Sequence, residues 1–288
     1  MTAMEKTLAD LLTLLVPERI ERNIFRGQSH DIGTPQVFGG QVLAQALYAA
    51  SATVKKGVIH SMHAYFLRRG DVDAPIVYQV DISRNGLTFS NRRVVAIQHG
   101  KQIFNMTASF QIPEQGLEHQ APMPDVPGPE GIRDIADVAT DDMENLPEAV
   151  RRFLTYPRPF SVRPVPRDDH QDGELEPVKY VWMKAIDTMP DDPLLHTVLL
   201  AYISDYQLLG TATIPHKAQS IMRDNLQMAS LDHAMWIHGD CRVDDWLLFA
   251  YDSPRASSAR GLARGLVFNR EGVLVASTAQ EGLIRVRD

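Results

Sequence analysis

Asp232, His233, His238, Asp240 and Cys241 are residue types that ligate zinc, and they fall within one short segment. Read as a strand through 229–237 that runs on, however, the segment puts His233 and His238 an odd number of residues apart. They then face opposite sides, and no metal is expected. Asp205 is more informative. It sits between Ile203 and Leu208 in an otherwise apolar helical segment. A carboxylate buried there is costly unless it is hydrogen-bonded or paired. The plain alternative is an exposed helix face, which the apolar neighbours argue against. Gln280 follows Thr278 in a run of small and apolar residues, and Ser230 stands near a strand start. Singly each is weak, since a lone serine is more often a core or edge hydroxyl than a catalyst. Chain spacing alone does not join the three. The sequence has no G-x-S-x-G elbow, so the serine-hydrolase signature is missing. It also has no P-loop, no G-x-G-x-x-G and no H-E-x-x-H.

The elements that must position these residues read as two similar runs. Leu8, Leu11, Leu12 and Leu15 have helical spacing, and 19–27 reads as a strand. The segment 38–52 is a helix with apolar residues around most of its circumference, hence buried. Gly39 and Gly40 at its start permit close backbone approach. Strands are expected at 58–67, 75–84, 88–98 and 102–111, with a turn at His99-Gly100. The proline-rich segment 112–173 reads as a long connector with one or two short helices, the clearest at 147–154, and it marks a domain boundary. The pattern then repeats. A strand is expected at 178–185, a helix at 193–209, and strands at 226–237, 246–251, 261–268 and 273–283. His63-Ala64 falls on His233-Ala234 at an offset of 170, and the helices overlay at 156, with the difference taken up around 211–224. Identity between the halves is low, so this is a repeat of pattern. A buried helix followed by antiparallel strands, twice over, argues for an α+β protein.

Composition narrows the class. The chain has 288 residues, 44% hydrophobic and 23% charged, with a formal net charge of -7. That is a globular balance large enough for two domains. It shows no electrostatic footprint for nucleic acid or an anionic membrane, so neither is an expected partner. An anionic ligand in a local basic pocket stays compatible with it. Cys241 is the single cysteine, which rules out an internal disulfide and fits a reducing compartment. The N-terminus reads better as a helix than as a signal peptide, and no apolar run reaches the length of a membrane span.

The chain resembles the acyl-coenzyme A thioesterase II family, bacterial double-hotdog enzymes with peroxisomal eukaryotic relatives. The resemblance covers nearly the whole chain. It is carried in the first half by Phe25-Arg26-Gly27-Gln28-Ser29, Val37-Phe38-Gly39-Gly40-Gln41, His60-Ser61-Met62-His63 and Met106-Thr107-Ala108-Ser109-Phe110-Gln111. In the second half it is carried by Ser204-Asp205-Tyr206, Leu231-Asp232-His233-Ala234-Met235-Trp236, Ser257-Ser258-Ala259-Arg260-Gly261 and Ser277-Thr278-Ala279-Gln280-Glu281-Gly282. It implies two tandem hotdog domains, each a central helix wrapped by a curved antiparallel sheet, with the sheets joined side by side. The expected division is 1–115, a linker at 116–159, and 160–288 carrying the catalytic residues. The resemblance also implies that Asp205, Ser230 and Gln280 hold a water that attacks the thioester of a medium- to long-chain acyl-coenzyme A. Many relatives have threonine at the position of Ser230. The first-half positions matching the three are Ala49, His60 and Phe110.

No cofactor and no metal are expected. Coenzyme A phosphates should be anchored by arginines, with Arg92, Arg93, Arg255, Arg260 and Arg264 as candidates. Any one of these alone reads equally well as a solvated surface arginine. A homodimer or homotetramer in the cytoplasm is expected, because the chain ends in Val286-Arg287-Asp288 rather than a tripeptide like the peroxisomal Ser-Lys-Leu. Three alternatives remain. Ser230 could be a nucleophile. An enoyl-coenzyme A hydratase would want an Asp and a His close in sequence, but Asp205 is followed by no histidine before His216. A non-enzymatic acyl-coenzyme A sensor would need the pocket without the polar residues.

Overall fold

The computed structural model describes residues 7–137, 151–152, 156–167, 175–216 and 226–287. The first half contains α1 (Thr7–Leu15), β1 (Glu18–Glu21), β2 (Ile24–Gly27), α2 (Gly39–Ser51), β3 (Val58–Phe66), β4 (Ile76–Asn85), β5 (Phe89–Gln98) and β6 (Lys101–Gln111). The second half contains β7 (Phe160–Pro164), β8 (Val178–Ala185), α3 (Pro193–Ser204), a 3-10 turn (Leu209–Thr213), β9 (Leu226–Ser230), β10 (Asp232–Ile237), β11 (Leu247–Ser257), β12 (Arg260–Phe268) and β13 (Leu274–Val286).

Among the described residues, thirteen strands form one antiparallel sheet in the order β1-β2-β4-β5-β6-β3-β10-β13-β12-β11-β8-β7, with β9 paired to β13 off this path. The two half-sheets meet where β3 pairs with β10. There His63 faces Ala234 and Ala64 faces His233. At an offset of 170 each of these pairs maps onto the other, so the junction is a pseudo-two-fold built from one repeated strand. Two long helices are buried, one from each half. In α2, Val42, Leu43, Ala46, Leu47, Ala49 and Ala50 are buried, and in α3 so is every residue from Val198 to Ser204. This is a tandem double-hotdog architecture of the α+β class.

The helix boundaries have local causes. Asp192 caps α3 by accepting from Leu194 N at 2.9 Å, and Pro193 opens its first turn. The buried amides of α2 are tied to the chain that enters it. Gln45 Nε2 donates to Leu14 O and Gln28 O, Gln41 Nε2 donates to Gln28 O, and Tyr78 OH donates to Gln45 Oε1. The turn expected at His99-Gly100 is present, with both residues at positive φ as a two-residue hairpin requires.

Several expectations need correction. The strand at 19–27 is a hairpin of β1 and β2. The helix expected at 193–209 stops at Ser204, because Asp205 is its C-cap and Gln207 has φ 65. The strand at 226–237 is broken between Ser230 and Asp232. Part of the connector is strand β7, which pairs with β8. Another part lies against the second half, where Trp182 Nε1 donates to Pro127 O at 2.9 Å. The short helix expected at 147–154 falls largely outside the described residues.

Candidate active site

Asp205, Ser230 and Gln280 come from three elements that the chain separates widely, and the fold brings them into contact. Gln280 is fully buried in β13. Its Nε2 donates to Asp205 Oδ1 at 2.6 Å and to Ser230 Oγ at 3.1 Å. A carboxylate only accepts, so the amide nitrogen must be the end facing Asp205. Gln280 Oε1 is buried without a protein partner among the described residues.

The first half completes the site. The Asp205 carboxylate accepts from the Gly40 backbone N–H in the first turn of α2 and is hydrogen-bonded to Ser230. A Cβ at Gly39 would lie 2.7 Å from Asp205 Oδ2, and one at Gly40 would overlap the Tyr202 carbonyl oxygen. The Gly39-Gly40 pair therefore lets the start of one buried helix touch the end of the other. Burial pushes the Asp205 pKa up, while the bonds from Gln280, Gly40 and Ser230 pull it back. The net result lies above the ordinary carboxylate value. Asp205 is densely surrounded yet keeps an accessible edge, as does Ser230.

Ser230 is aimed by a bulge. β13 pairs Gly282 with Ser230 and Ala279 with Ala234, so the β9–β10 side carries one extra residue. The extra residue is stitched in by Leu231 N to Glu281 O and by Glu281 N to Asp232 Oδ1. Bulges of this kind re-aim side chains beside functional sites. Here the bulge brings both Ser230 and His233 to Gln280. His233 is fully buried, with Nδ1 3.3 Å from Gln280 Nε2 and Nε2 3.0 Å from Ser204 Oγ. Ser204 already donates to Ala201 O, so His233 carries its proton on Nε2. Burial lowers its pKa to about 4, so it is neutral and holds Gln280 rather than moving protons. Reading this segment as a regular strand hid His233. Of the other metal-type residues, His238 contacts Ser277 Oγ at 2.8 Å.

A cleft of about 290 Å³ opens at Ser230, walled by Gly39, Val42, Phe66 and Met228, with the exposed Arg68 and Arg69 also lining it. A more apolar cavity of about 430 Å³ is bounded by Leu11, Leu14, Ile32, Tyr202 and Tyr206, the two tyrosines flanking Ser204-Asp205. None of the five arginines expected to anchor coenzyme A lines that cleft. Arg92 is a correction. It is buried, and its guanidinium is committed to Thr53 Oγ1, Thr53 O, Arg84 O, Asn91 O and Asn85 Oδ1. Arg260 pairs with Glu281 and Arg264 with Asp252, while Arg93 and Arg255 are exposed. Arg68 and Arg69, which line the cleft instead, were not among the arginines singled out from the sequence.

A clamp lies behind the turn that leaves Asp205. Lys179 Nζ on β8 donates to Gln207 O and, at 3.1 Å, to Gln207 Oε1. Tyr251 OH donates to Tyr206 O at 3.1 Å. Both bonds hold the turn leaving Asp205, where Gln207 adopts its positive φ.

Comparison with known proteins agrees with this geometry. Residues 150–283 match the family described as Acyl-CoA thioesterase, and residues 26–111 match Acyl-CoA thioesterase N-terminal domain. Acyl-CoA thioesterase 2 of Haemophilus influenzae is 42% identical over 98% of this chain and 99% of its own. Human acyl-coenzyme A thioesterase 8 is 39% identical over 96% of this chain and 88% of its own. The crystal structure of an acyl-CoA thioesterase II from Mycobacterium marinum superposes with a TM-score of 0.80 at 40% identity, covering 96% of this chain and 99% of that one. With both halves matched and relatives this similar along nearly its full length, the chain belongs to the acyl-CoA thioesterase family.

Proposed function

We propose that this chain hydrolyses acyl-coenzyme A thioesters by direct attack of a water held by Asp205, Ser230 and Gln280. The observation that carries the reading is the single amide nitrogen of Gln280 bridging Asp205 Oδ1 and Ser230 Oγ. It sets a carboxylate and a hydroxyl side by side at the mouth of a cleft. A water bound to both has its proton acceptor in Asp205, the one member of the three able to act as general base. In the first turn of α2, Gly40 N–H bonds Asp205 and the Gln41 and Val42 N–H groups bond Phe38 O, so the Gly39 N–H is the donor proposed for the developing oxyanion. No acyl-enzyme is needed. The imidazole near Ser230 is neutral and bonded to Gln280 and Ser204, so it is not placed to activate a serine.

The matching positions of the first half, Ala49 and Phe110, are buried and apolar, and His60 bonds Ser109 Oγ at 2.9 Å. That half supplies scaffold, cleft wall and the Gly40 N–H, while catalysis belongs to the second. The domain division 1–115, 116–159 and 160–288 follows the same logic. The apolar cavity beside Tyr202 and Tyr206 suits a medium- to long-chain acyl group. Arg68 and Arg69 replace Arg92 in the set proposed to bind coenzyme A phosphates, beside Arg93, Arg255, Arg260 and Arg264. A cytoplasmic setting fits the one free cysteine. Among the described residues, no helix is long and apolar enough to cross a membrane. Assembly to a homodimer or homotetramer fits the exposed Tyr65 and Trp236 side chains at the β3–β10 junction.

Incubation with palmitoyl-coenzyme A and, separately, crotonyl-coenzyme A while recording free thiol tests the reading. Thiol release from palmitoyl-coenzyme A is expected. Binding without thiol release would instead show a sensor, and a spectral change with crotonyl-coenzyme A and no thiol would show a hydratase.

A further inference from the structure

A cavity of about 630 Å³, larger than either space beside Asp205, lies at the far end of α2. Helix α2 spans 13 residues, and at a rise of about 1.5 Å per residue the cavity is on the order of 20 Å from the Gly39-Gly40 end that touches Asp205. Its walls come from β1, the segment after α2, and the β4–β5 hairpin. They carry Arg19, Arg22, Lys55, Lys56 and Arg92, and no carboxylate. That concentration is unexpected in a chain of net charge -7.

Two of these cations are structural. The C-terminal carbonyls of a helix carry partial negative charge and would repel an anion. Arg19 Nη2 covers Ala52 O at 2.7 Å, and Arg92 Nη2 covers Thr53 O at 3.1 Å. The helix end is thereby masked. Arg22, Lys55 and Lys56 are exposed, and no ion pair joins any of them to a described residue. Of the nearby acids, Glu18 pairs with Arg26, and Glu21 turns back to accept from the Arg22 backbone N and does not line the cavity. The fold repeat does not require such a space. At an offset of 170, Gly86 and Ser90 fall on Ala256 and Arg260, which line a cavity of only about 100 Å³ where Arg260 is paired with Glu281.

We propose that this cavity is a second binding site, separate from the thioester site, for an anion carrying two linked phosphates, with Arg22, Lys55 and Lys56 as its counter-charges. The volume lies within the ordinary range for small-molecule sites. Thr53, Thr88 and Ser90 add hydroxyls, while Ile82 and Leu87 add an apolar wall. The shared chemistry is the diphosphate, whether free or borne by a nucleoside.

Calorimetric titration with inorganic pyrophosphate and, in a separate arm, ADP tests the site on the intact enzyme. Saturable binding is expected in at least one arm. It should weaken about 100-fold or more in the charge-reversal variant R22E/K55E/K56E, since charge-assisted contacts to phosphate are the strong kind. The less drastic K55Q/K56Q should weaken it by a smaller factor. Both variants should keep wild-type thermal stability and wild-type kcat for acyl-coenzyme A hydrolysis in the absence of added anion. Pyrophosphate binding equal to ADP would assign the site to the phosphates alone, whereas tighter ADP would place the nucleoside on Ile82 and Leu87. Either result supports the site. Absence of binding in both arms at millimolar concentration would overturn it. So would binding undiminished in folded R22E/K55E/K56E, which would place the anion outside this cavity.

Discussion

Asp205 is held as a carboxylate by three donors and opposed by its burial, so its titration should be visible in turnover. The proposed general base works only when ionised. Because its pKa is raised, kcat should fall as pH drops through a point above the ordinary carboxylate range, and it should recover fully on return to neutral pH. A steady-state pH profile checks this, and the acid limb should vanish in Asp205→Asn. That substitution should lower kcat by about 10² to 10⁴, the usual weight of a general base, with KM little changed. His60→Ala, at the first-half position matching Ser230, should stay near wild type. The reverse pattern would move catalysis to the first half. Asp205 was legible in the sequence because a carboxylate among Ile203, Tyr206 and Leu208 demands a partner. Its partners were not legible from spacing and came only through family resemblance, since Gln280 and Ser230 join it across three elements. His233 was lost because strict alternation was assumed where the bulge at Leu231 breaks it.

At the scale of elements, the active site is the meeting of one helix start with one helix end. Gly39→Ala should therefore displace Asp205 and reduce kcat with little loss of secondary structure, checked by kinetics beside circular dichroism. The elbow after Asp205 gives a second prediction. Lys179 clamps Gln207, so Lys179→Met should lower kcat about tenfold with an unchanged KM, because the two hydrogen bonds its amine donates to Gln207 are removed behind the site. Burial lowers the Lys179 pKa to about 7. A lysine depressed in the folded state contributes stability that is present above its unfolded pKa and lost as pH falls through the folded value. Wild type relative to Lys179→Met should thus gain stability between about pH 7 and the ordinary lysine range, measured as the difference in Tm across pH. Periodicity revealed α2 and most of the long strands, whose apolar faces are continuous. It did not reveal β7, masked by the prolines around it, nor the stop of α3, which depends on a tertiary clamp and a positive-φ glutamine rather than on glycine or proline.

For the whole molecule, the pseudo-two-fold at β3–β10 gives two hotdog units and one polar centre. The offset of 170 predicted the matching of His63 with His233, and the observed register obeys it. The proposed division of labour was also argued from the sequence, because Ala49 and Phe110 offer nothing to bind water. Quaternary structure was not, since exposed Tyr65 and Trp236 do not announce themselves in a sequence. If that outer face is buried between copies, Trp236→Glu should reduce the mass seen by sedimentation equilibrium while leaving the fold intact. An unchanged mass would move the interface elsewhere.

The central claim is that water attacks the thioester directly, and rapid-quench turnover of palmitoyl-coenzyme A with intact-mass detection tests it most directly. The expected result is linear release of coenzyme A from the first turnover, with no acylated protein at any time. A burst of coenzyme A stoichiometric with enzyme, matched by an acyl adduct that chases to product and is absent in Ser230→Ala, would contradict it.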